Sequence, residues 1–193
     1  SRGAELVLGA DPAGDADGAE PVGVGGGHVD VAVADHGGRC AVAEVVEAKA
    51  PGFAKGDLVF ADTGWQEYAS LPAKHAQKLP RIEPISHLLS VYGIAGLTAY
   101  FGLLHVGKPK EGETVVVSAA AGSVGSIVGQ IAKIKGCKVI GIAGGKDKCN
   151  WLTSELGFDA AVDYKDGATY KALRAAAPKG IDVYFDNVGG DIL

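Results

Sequence analysis

The stretch from Thr114 to Lys148, TVVVSAAAGSVGSIVGQIAKIKGCKVIGIAGGKDK, constrains the fold more than any other part of the chain. Thr114-Val115-Val116-Val117-Ser118 is β-branched and apolar without alternation, the pattern of a strand buried on both faces of a parallel sheet. Ala120-Ala121-Gly122-Ser123-Val124-Gly125 follows as an A-x-G-x-x-G turn. Ile127, Val128, Ile131, Ala132 and Ile134 then recur at helical spacing, and Gly136 closes that helix. Lys138 to Ala143 reads as a second buried strand, so the whole is a βαβ unit with a glycine turn at the strand-to-helix switch.

The chemistry of such a turn is phosphate binding. Gly122 lets the backbone approach a pyrophosphate, and Gly125 lets the helix pack closely on the strand. The helix N-terminus adds unpaired N–H groups and a partial positive charge, with Ser123 and Val124 in its first turn. The first glycine of the usual G-x-G-x-x-G is Ala120 here, which weakens the bare pattern, but strand and helix stand where the motif requires them. The alternative, a glycine turn in an α/β protein that binds no nucleotide, ranks well below a dinucleotide site. An NAD site carries Asp or Glu at the tip of the second strand to take the ribose hydroxyls. This chain has Gly144-Gly145-Lys146-Asp147-Lys148, with no carboxylate at the tip and two lysines after it. A lysine on a 2′-phosphate contributes roughly 1.5–3 kcal/mol, on the order of a tenfold to hundredfold preference for NADP(H).

Composition excludes other classes. The chain has 193 residues, a net charge of -5 and a pI near 5.5, so no basic face points to nucleic acid or an anionic membrane. No apolar run approaches the ~20 residues of a membrane span, and no signal-peptide pattern opens the sequence. Cys40, Cys137 and Cys149 have neither metal nor disulfide spacing, which makes a cytoplasmic compartment the default. The histidines His28, His36, His75, His87 and His105 are dispersed, and no metal site is expected.

Residues 1–38 are rich in Gly, Ala and Asp, with short strands predicted at Glu5–Leu8 and His28–Val33. Strands are predicted at Cys40–Glu47, Leu58–Ala61 and Trp65–Ala69, with a turn over Ala50–Asp57. Leu71–Pro84 reads as a linker, Ser86 as the cap of a helix over His87–Ser90, and Gly96–Leu104 as a helix with Leu97, Tyr100, Phe101 and Leu104 on one face. His105–Gly112 reads as a loop. Later come a helix over Asp147–Leu156, a strand over Asp159–Asp163, a helix over Thr169–Ala177 and a strand over Ile181–Phe185. Asn187 follows that last strand, at the carboxyl end where ligands of such sheets sit.

The segments GLTAYFGLL (96–104), VVVSAAAGSVGSIVGQIAKIKGCKVIGIAG (115–144), LGFDAAVDYK (156–165) and DVYFDNVGG (182–190) together resemble the zinc-independent medium-chain dehydrogenase/reductases. The similarity is closest to their prostaglandin reductase and alkenal double-bond reductase branch, and it runs from about Gly38 to the end. It implies an α/β fold: a Rossmann-like doubly wound parallel sheet, incomplete at four strands, preceded by a GroES-like small β-barrel domain. It implies a β domain over 1–84 (poorly defined over 1–38), connecting helices over 85–112 and an NADP-binding domain over 113–193. By the same resemblance Gly122, Ser123, Val124 and Gly125 form the phosphate turn, Lys148 and Tyr164 hold the 2′-phosphate, Asn187 lies close to the cofactor and Thr98 stands near the nicotinamide end. A full dinucleotide fold has six strands. Four are legible, so the sequence is expected to be a fragment, a partial record or a truncated product. The family's G-x-P-G before T-A-Y is Gly93-Ile94-Ala95-Gly96 here, and Tyr92 stands where a small aliphatic is common, which bears on pocket shape.

The reaction this implies is NADPH-dependent reduction of the C=C bond of an α,β-unsaturated aldehyde or ketone, without zinc, by a homodimer when full length. Tyr68, Tyr92 and Tyr100 qualify as proton donors by residue type alone. Two other readings stand beside it: a zinc-free NADPH quinone reductase, and a non-catalytic NADP-binding or structural protein.

Overall fold

A computed structural model describes residues 27–37 and 40–190, and the strand expected at Glu5–Leu8 lies outside the described residues. Two compact units divide at Gly93/Ile94.

The first unit is an antiparallel sheet of β1 (His28–Gly37), β2 (Cys40–Ala48), β3 (Leu58–Asp62), β4 (Tyr68–Pro72) and β5 (Gln77–Leu79), in the order β4-β1-β2-β3-β5. Alternation divides its apolar residues between two faces. Val29, Val31, Ala43, Val45, Val59 and Leu71 pack on one, while Val42 and Leu58 meet Leu88 on the other. Register shifts at Asp30/Val31 and Val33/Asp35 bend β1. The turn before β3 is pinned by Lys78 on Asp57 (2.7 Å) and by Arg81 on Glu44 (3.0 Å) and on the Gly56 carbonyl (3.2 Å).

Three expectations are corrected in this unit. The strand placed at Trp65–Ala69 begins only at Tyr68; Gly64 takes φ 67°, and the Gln66 side chain donates to the Thr63 carbonyl, which makes Thr63–Gln66 a turn. The linker expected at Leu71–Pro84 contains the end of β4 and the three-residue β5, paired with Leu58–Phe60 and too short for periodicity to reveal. Ser86 caps nothing. It lies inside a 3-10 turn, Ile85–Leu88, and its carbonyl accepts from Leu89 and Ser90 N–H (both 3.1 Å).

The second unit is a parallel sheet of β6 (Thr114–Val117), β7 (Lys138–Ala143), β8 (Ala160–Asp163) and β9 (Val183–Phe185), in the order β8-β7-β6-β9. In chain order that is 3-2-1-4, the start of the doubly wound arrangement. The helices are α1 (Ile94–Tyr100), α2 (Ser123–Ile134), α3 (Lys146–Ser154) and α4 (Thr169–Ala176). Val115, Val117, Val139 and Ala143 pack with Ile127, Val128 and Ala132 of α2 and Leu152 of α3. Val116, Ile140, Ile142 and Val162 pack on the opposite face with Ala172 and Leu173 of α4. Burial on both faces explains why β6 and β7 read as unbroken apolar runs.

The helix expected over Gly96–Leu104 starts at Ile94 and, after Tyr100, widens into a π-helical stretch over Phe101–Gly107, whose last three residues were expected in a loop. That stretch ends at Lys108, in the left-handed region (φ 48°), whose N–H reaches the Leu103 carbonyl (2.7 Å). Of the residues read on one face, Leu97, Tyr100 and Phe101 are about half exposed, while Leu104 packs against the core. Gly96, Ala99 and Leu103 are buried. Small residues permit the close approach to α2, so the bulkier face is the outer one.

Candidate functional site

The carboxyl ends of the four parallel strands gather nearly all the residues singled out from the sequence, each on a turn with its own support.

After β6 the chain reverses sharply. Ala119 takes φ 45°, an uncommon conformation outside glycine, and its carbonyl accepts from Gly122 N–H (2.9 Å). Gly122 caps α2 without side-chain help, and no acidic residue occupies the first turn. The N–H groups of Ser123, Val124 and Gly125 open that helix, and such groups have no partner within it. A methyl at Gly125 would fall 2.4 Å from the Ala119 carbonyl oxygen and 2.8 Å from Ala120 Cα. That closeness holds the helix start against the strand end. Gly122 and Ser123 are exposed, Val124 is half-buried and Gly125 is buried.

Ser118 links this turn to the end of β9. Its side chain is fully buried, its Oγ donates to Asp186 Oδ1 (2.7 Å) and it accepts from Asn187 N–H (2.7 Å). Asn187 Nδ2 donates to the Ser118 carbonyl (2.8 Å). A carbonyl only accepts, so this contact fixes which end of the Asn187 amide faces Ser118 and leaves Oδ1 as the acceptor of an exposed residue. Asp186 Oδ1 also accepts from Val188 N–H (3.2 Å), and its Oδ2 accepts from Gly189 N–H (2.7 Å). The Ser118 hydroxyl, helped by these N–H groups, holds the Asp186 carboxyl below its ordinary value.

The turns after β7 and β8 are tied in the same manner. Asp163 Oδ1 accepts from Gly145 N–H (2.9 Å) and from Lys165 N–H (3.0 Å), and these bonds hold its carboxyl below the ordinary value. The Tyr164 ring lies over Gly144, with its atoms 2.8–3.0 Å from where a Cβ would stand. Lys148 is exposed in the first turn of α3, after Lys146 and Asp147. Thr98 is exposed on α1 and takes part in none of these links. The tyrosines named as proton donors are scattered: Tyr92 and Tyr100 are exposed and Tyr68 is half-buried on β4.

Sequence reading missed Ser118, Asp163, Asp186 and the reason for Gly144. A signal was present: DAAVD (159–163) and DVYFD (182–186) repeat one spacing around two strands. In each, the first carboxylate accepts from the neighbouring strand, Asp159 from Val139 N–H (2.7 Å) and Asp182 from Thr114 N–H (2.8 Å). The second ties the carboxyl-end turns. Among the described residues no group of His, Cys, Asp and Glu gathers as a metal site, and no helix is long and apolar enough to cross a membrane.

A parallel sheet ordered 3-2-1-4, with a glycine turn opening its first crossover helix, defines the Rossmann-like class. Residues 123–193 match the family model described as zinc-binding dehydrogenase. The chain is 51% identical over 155 residues to prostaglandin reductase 1 of Bos taurus, covering 78% of this chain and 47% of that one. It is 48% identical over 155 residues to the 2-alkenal reductase (NADP(+)-dependent) of Nicotiana tabacum, covering 79% and 45%. Among solved structures, CurA from Vibrio vulnificus in complex with NADPH superposes with a TM-score of 0.74 at 37% identity, over 86% of this chain and 57% of that one. Over the residues it spans, about half the length of these curated relatives, the chain belongs to the zinc-independent medium-chain dehydrogenase/reductases, in the prostaglandin reductase and alkenal reductase branch.

Proposed function

We propose that this chain carries the cofactor-binding part of an NADPH-dependent reductase acting on the C=C bond of α,β-unsaturated aldehydes or ketones. The observation that carries the reading is the arrangement at the strand ends, where an α2 start without side-chain cap or acidic side chains, an oriented amide at Asn187 and a lysine-bearing turn accompany a β7 tip that carries no acidic side chain of its own. This donor set fits a dinucleotide with a 2′-phosphate. The helix start at Gly122–Gly125 would take the pyrophosphate, and Lys148 and Tyr164 the 2′-phosphate. Asn187 Oδ1 would accept from a ribose hydroxyl or the carboxamide, and Thr98 would stand near the nicotinamide. Names of relatives support the cofactor and the reaction class: the Nicotiana protein is called a 2-alkenal reductase dependent on NADP(+), and CurA was solved with NADPH.

Bound NADPH would supply a hydride to the β carbon of the alkene, and water or a hydroxyl would supply the proton to the α carbon. The chain's own part is orientation: Ser118 and Asp186 fix Asn187, and Asp163 fixes the turn before α3. The full-length protein is read as a cytoplasmic homodimer.

Titration of NADPH and NADH tests the cofactor assignment. Lys148→Ala should weaken NADPH by about tenfold or more and leave NADH nearly unchanged; equal losses for both would remove Lys148 from the 2′-phosphate. A full-length protein should consume NADPH with a small enone, and turnover confined to quinones would move it to the quinone reductase reading.

A further inference from the structure

The widened stretch Phe101–Gly107 bonds five residues apart, as in the Lys108 N–H that reaches the Leu103 carbonyl (2.7 Å). Two of its glycines, Gly102 and Gly107, also stand five apart, and both lie against β9. A Cβ at Gly102 would fall 2.8 Å from Cε2 and 2.9 Å from Cζ of Phe185, and one at Gly107 would fall 3.2 Å from Cγ1 of Val183. Val183 and Phe185 are two residues apart in β9 and so share one face of the strand. In an α-helix of about 3.6 residues per turn, residues five apart diverge by about 140° and could not both meet that face. The wider turn brings the two glycines onto one side, so the segment sits on β9 at two points, each without a side chain of its own.

This seat also sets direction and height. The segment runs from Gly102 to Gly107 while its partners run from Phe185 back to Val183, so helix and strand are antiparallel. Thr98 precedes Gly102 by four residues, one turn back on the same side of α1. It therefore lies about 5–6 Å beyond the level of Phe185, toward the carboxyl end of the sheet. Asn187 follows Phe185 by two residues, a step of at most about 7 Å. Two exposed residues on separate elements, with no bond between them, thus come to the same level.

We propose that the π-helical stretch is a positioning device for the nicotinamide end of the cofactor, with Gly102 and Gly107 as its positioning residues. Seating α1 on β9 in this register brings Thr98 level with Asn187, so that one half of the cofactor meets both. This deepens the reading of Thr98 and Asn187 given above and rests on it. Gly102 matters more: an added Cβ there would stand closer to Phe185 than real Cβ contacts come, whereas at Gly107 the neighbour need give only a few tenths of an ångström.

The test uses the 193-residue chain and two probes, neither of which requires turnover. NADPH emission reads the surroundings of the dihydronicotinamide, and adenosine 2′,5′-bisphosphate, followed by calorimetry, reads the other half alone. The unaltered chain should bind both, and NADPH emission should rise on binding. Gly102→Ala should lose most of that rise while its bisphosphate affinity stays within about twofold, as expected of a site the methyl does not reach. Gly107→Ala, the milder change, should lose a smaller share, which keeps the idea testable if Gly102→Ala folds poorly. Phe185→Leu removes the ring atoms that the methyl meets, so Gly102→Ala combined with Phe185→Leu should regain the rise. A rise retained in Gly102→Ala, or no recovery in the double variant, would overturn the proposal. Equal loss of both probes in both glycine variants would also overturn it, by making the seat a folding contact only. An unaltered chain that binds the bisphosphate with no change in NADPH emission would overturn the reading of Thr98 and Asn187, and the proposal with it. Binding of neither probe would instead overturn the cofactor reading itself.

Discussion

At the scale of single residues, three glycines hold the fold together by what they leave out, and only one of the three was legible. Gly125 belongs to a known spacing and could be read from the sequence alone. Gly129 and Gly141 could not, because what they make room for lies elsewhere in the chain. A methyl at Gly129 would fall 1.9 Å from the Phe158 ring, and one at Gly141 would fall 2.8 Å from Leu152 Cδ1, 2.9 Å from Ala120 Cβ and 3.0 Å from the Phe158 ring. The ring is 4% exposed and fills both hollows. Phe158→Ala should therefore lower stability by about 3–5 kcal/mol, read from urea midpoints, because neither glycine can supply the missing volume. Gly125→Ala should cost about 1–3 kcal/mol, since its close contacts are backbone atoms that cannot rotate away. Unchanged midpoints would show that α2 shifts freely. Ser118 was read only as the end of a strand; its link to Asn187 joins residues 69 apart in sequence and leaves no local trace.

At the scale of elements, β6 and β7 announced themselves by unbroken apolar runs, while the order β8-β7-β6-β9 comes from the structure. What spacing left open was the interior of α1, where the large side chains of Ile94, Leu97 and Tyr100 are exposed and Gly96 and Ala99 are buried. Helical spacing identifies two faces but not which one a neighbouring helix can approach closely. The widened turn over Phe101–Gly107 has a similar origin: Phe185 lies 2.8 Å from where a Cβ at Gly102 would stand, so the shape of this segment answers to β9. The aspartates that tie β8 and β9 also set a pH response. Gly145 and Lys165 N–H groups lower the carboxyl pKa of Asp163, and the Ser118 hydroxyl lowers that of Asp186. The unfolded chain then binds these protons more tightly than the folded one, so the stabilisation is fully present above the ordinary value of 3.8 and is lost as pH falls through the lowered values. Urea midpoints should fall as pH drops from about 4 to 2, and the fall should be shallower in Asp163→Ala. An equally steep fall in that variant would remove Asp163 from the effect.

At the scale of the whole molecule, the residues proposed to hold the cofactor all lie in the unit that begins at Ile94. A ligand that binds only the folded form stabilises what it binds by mass action, about 2.7 kcal/mol at a hundredfold excess over its Kd. In calorimetry, NADP(+) should raise the unfolding temperature of that unit, and Lys148→Ala should abolish most of the shift. A shift of the same size in Lys148→Ala would place the binding elsewhere.

The paired aspartates of 159–163 and 182–186 have a last consequence, for how the chain avoids mistakes. Each strand carries a carboxylate at either end, and each carboxylate meets an N–H or hydroxyl on the strand beside it or on the turn that follows that strand. A strand slipped by one residue would miss both partners and would also turn its apolar side chains to the wrong face. The spacing acts as a gauge with two jaws: it rejects a misplaced strand at both ends at once, so the correct alignment is the one in which both jaws close.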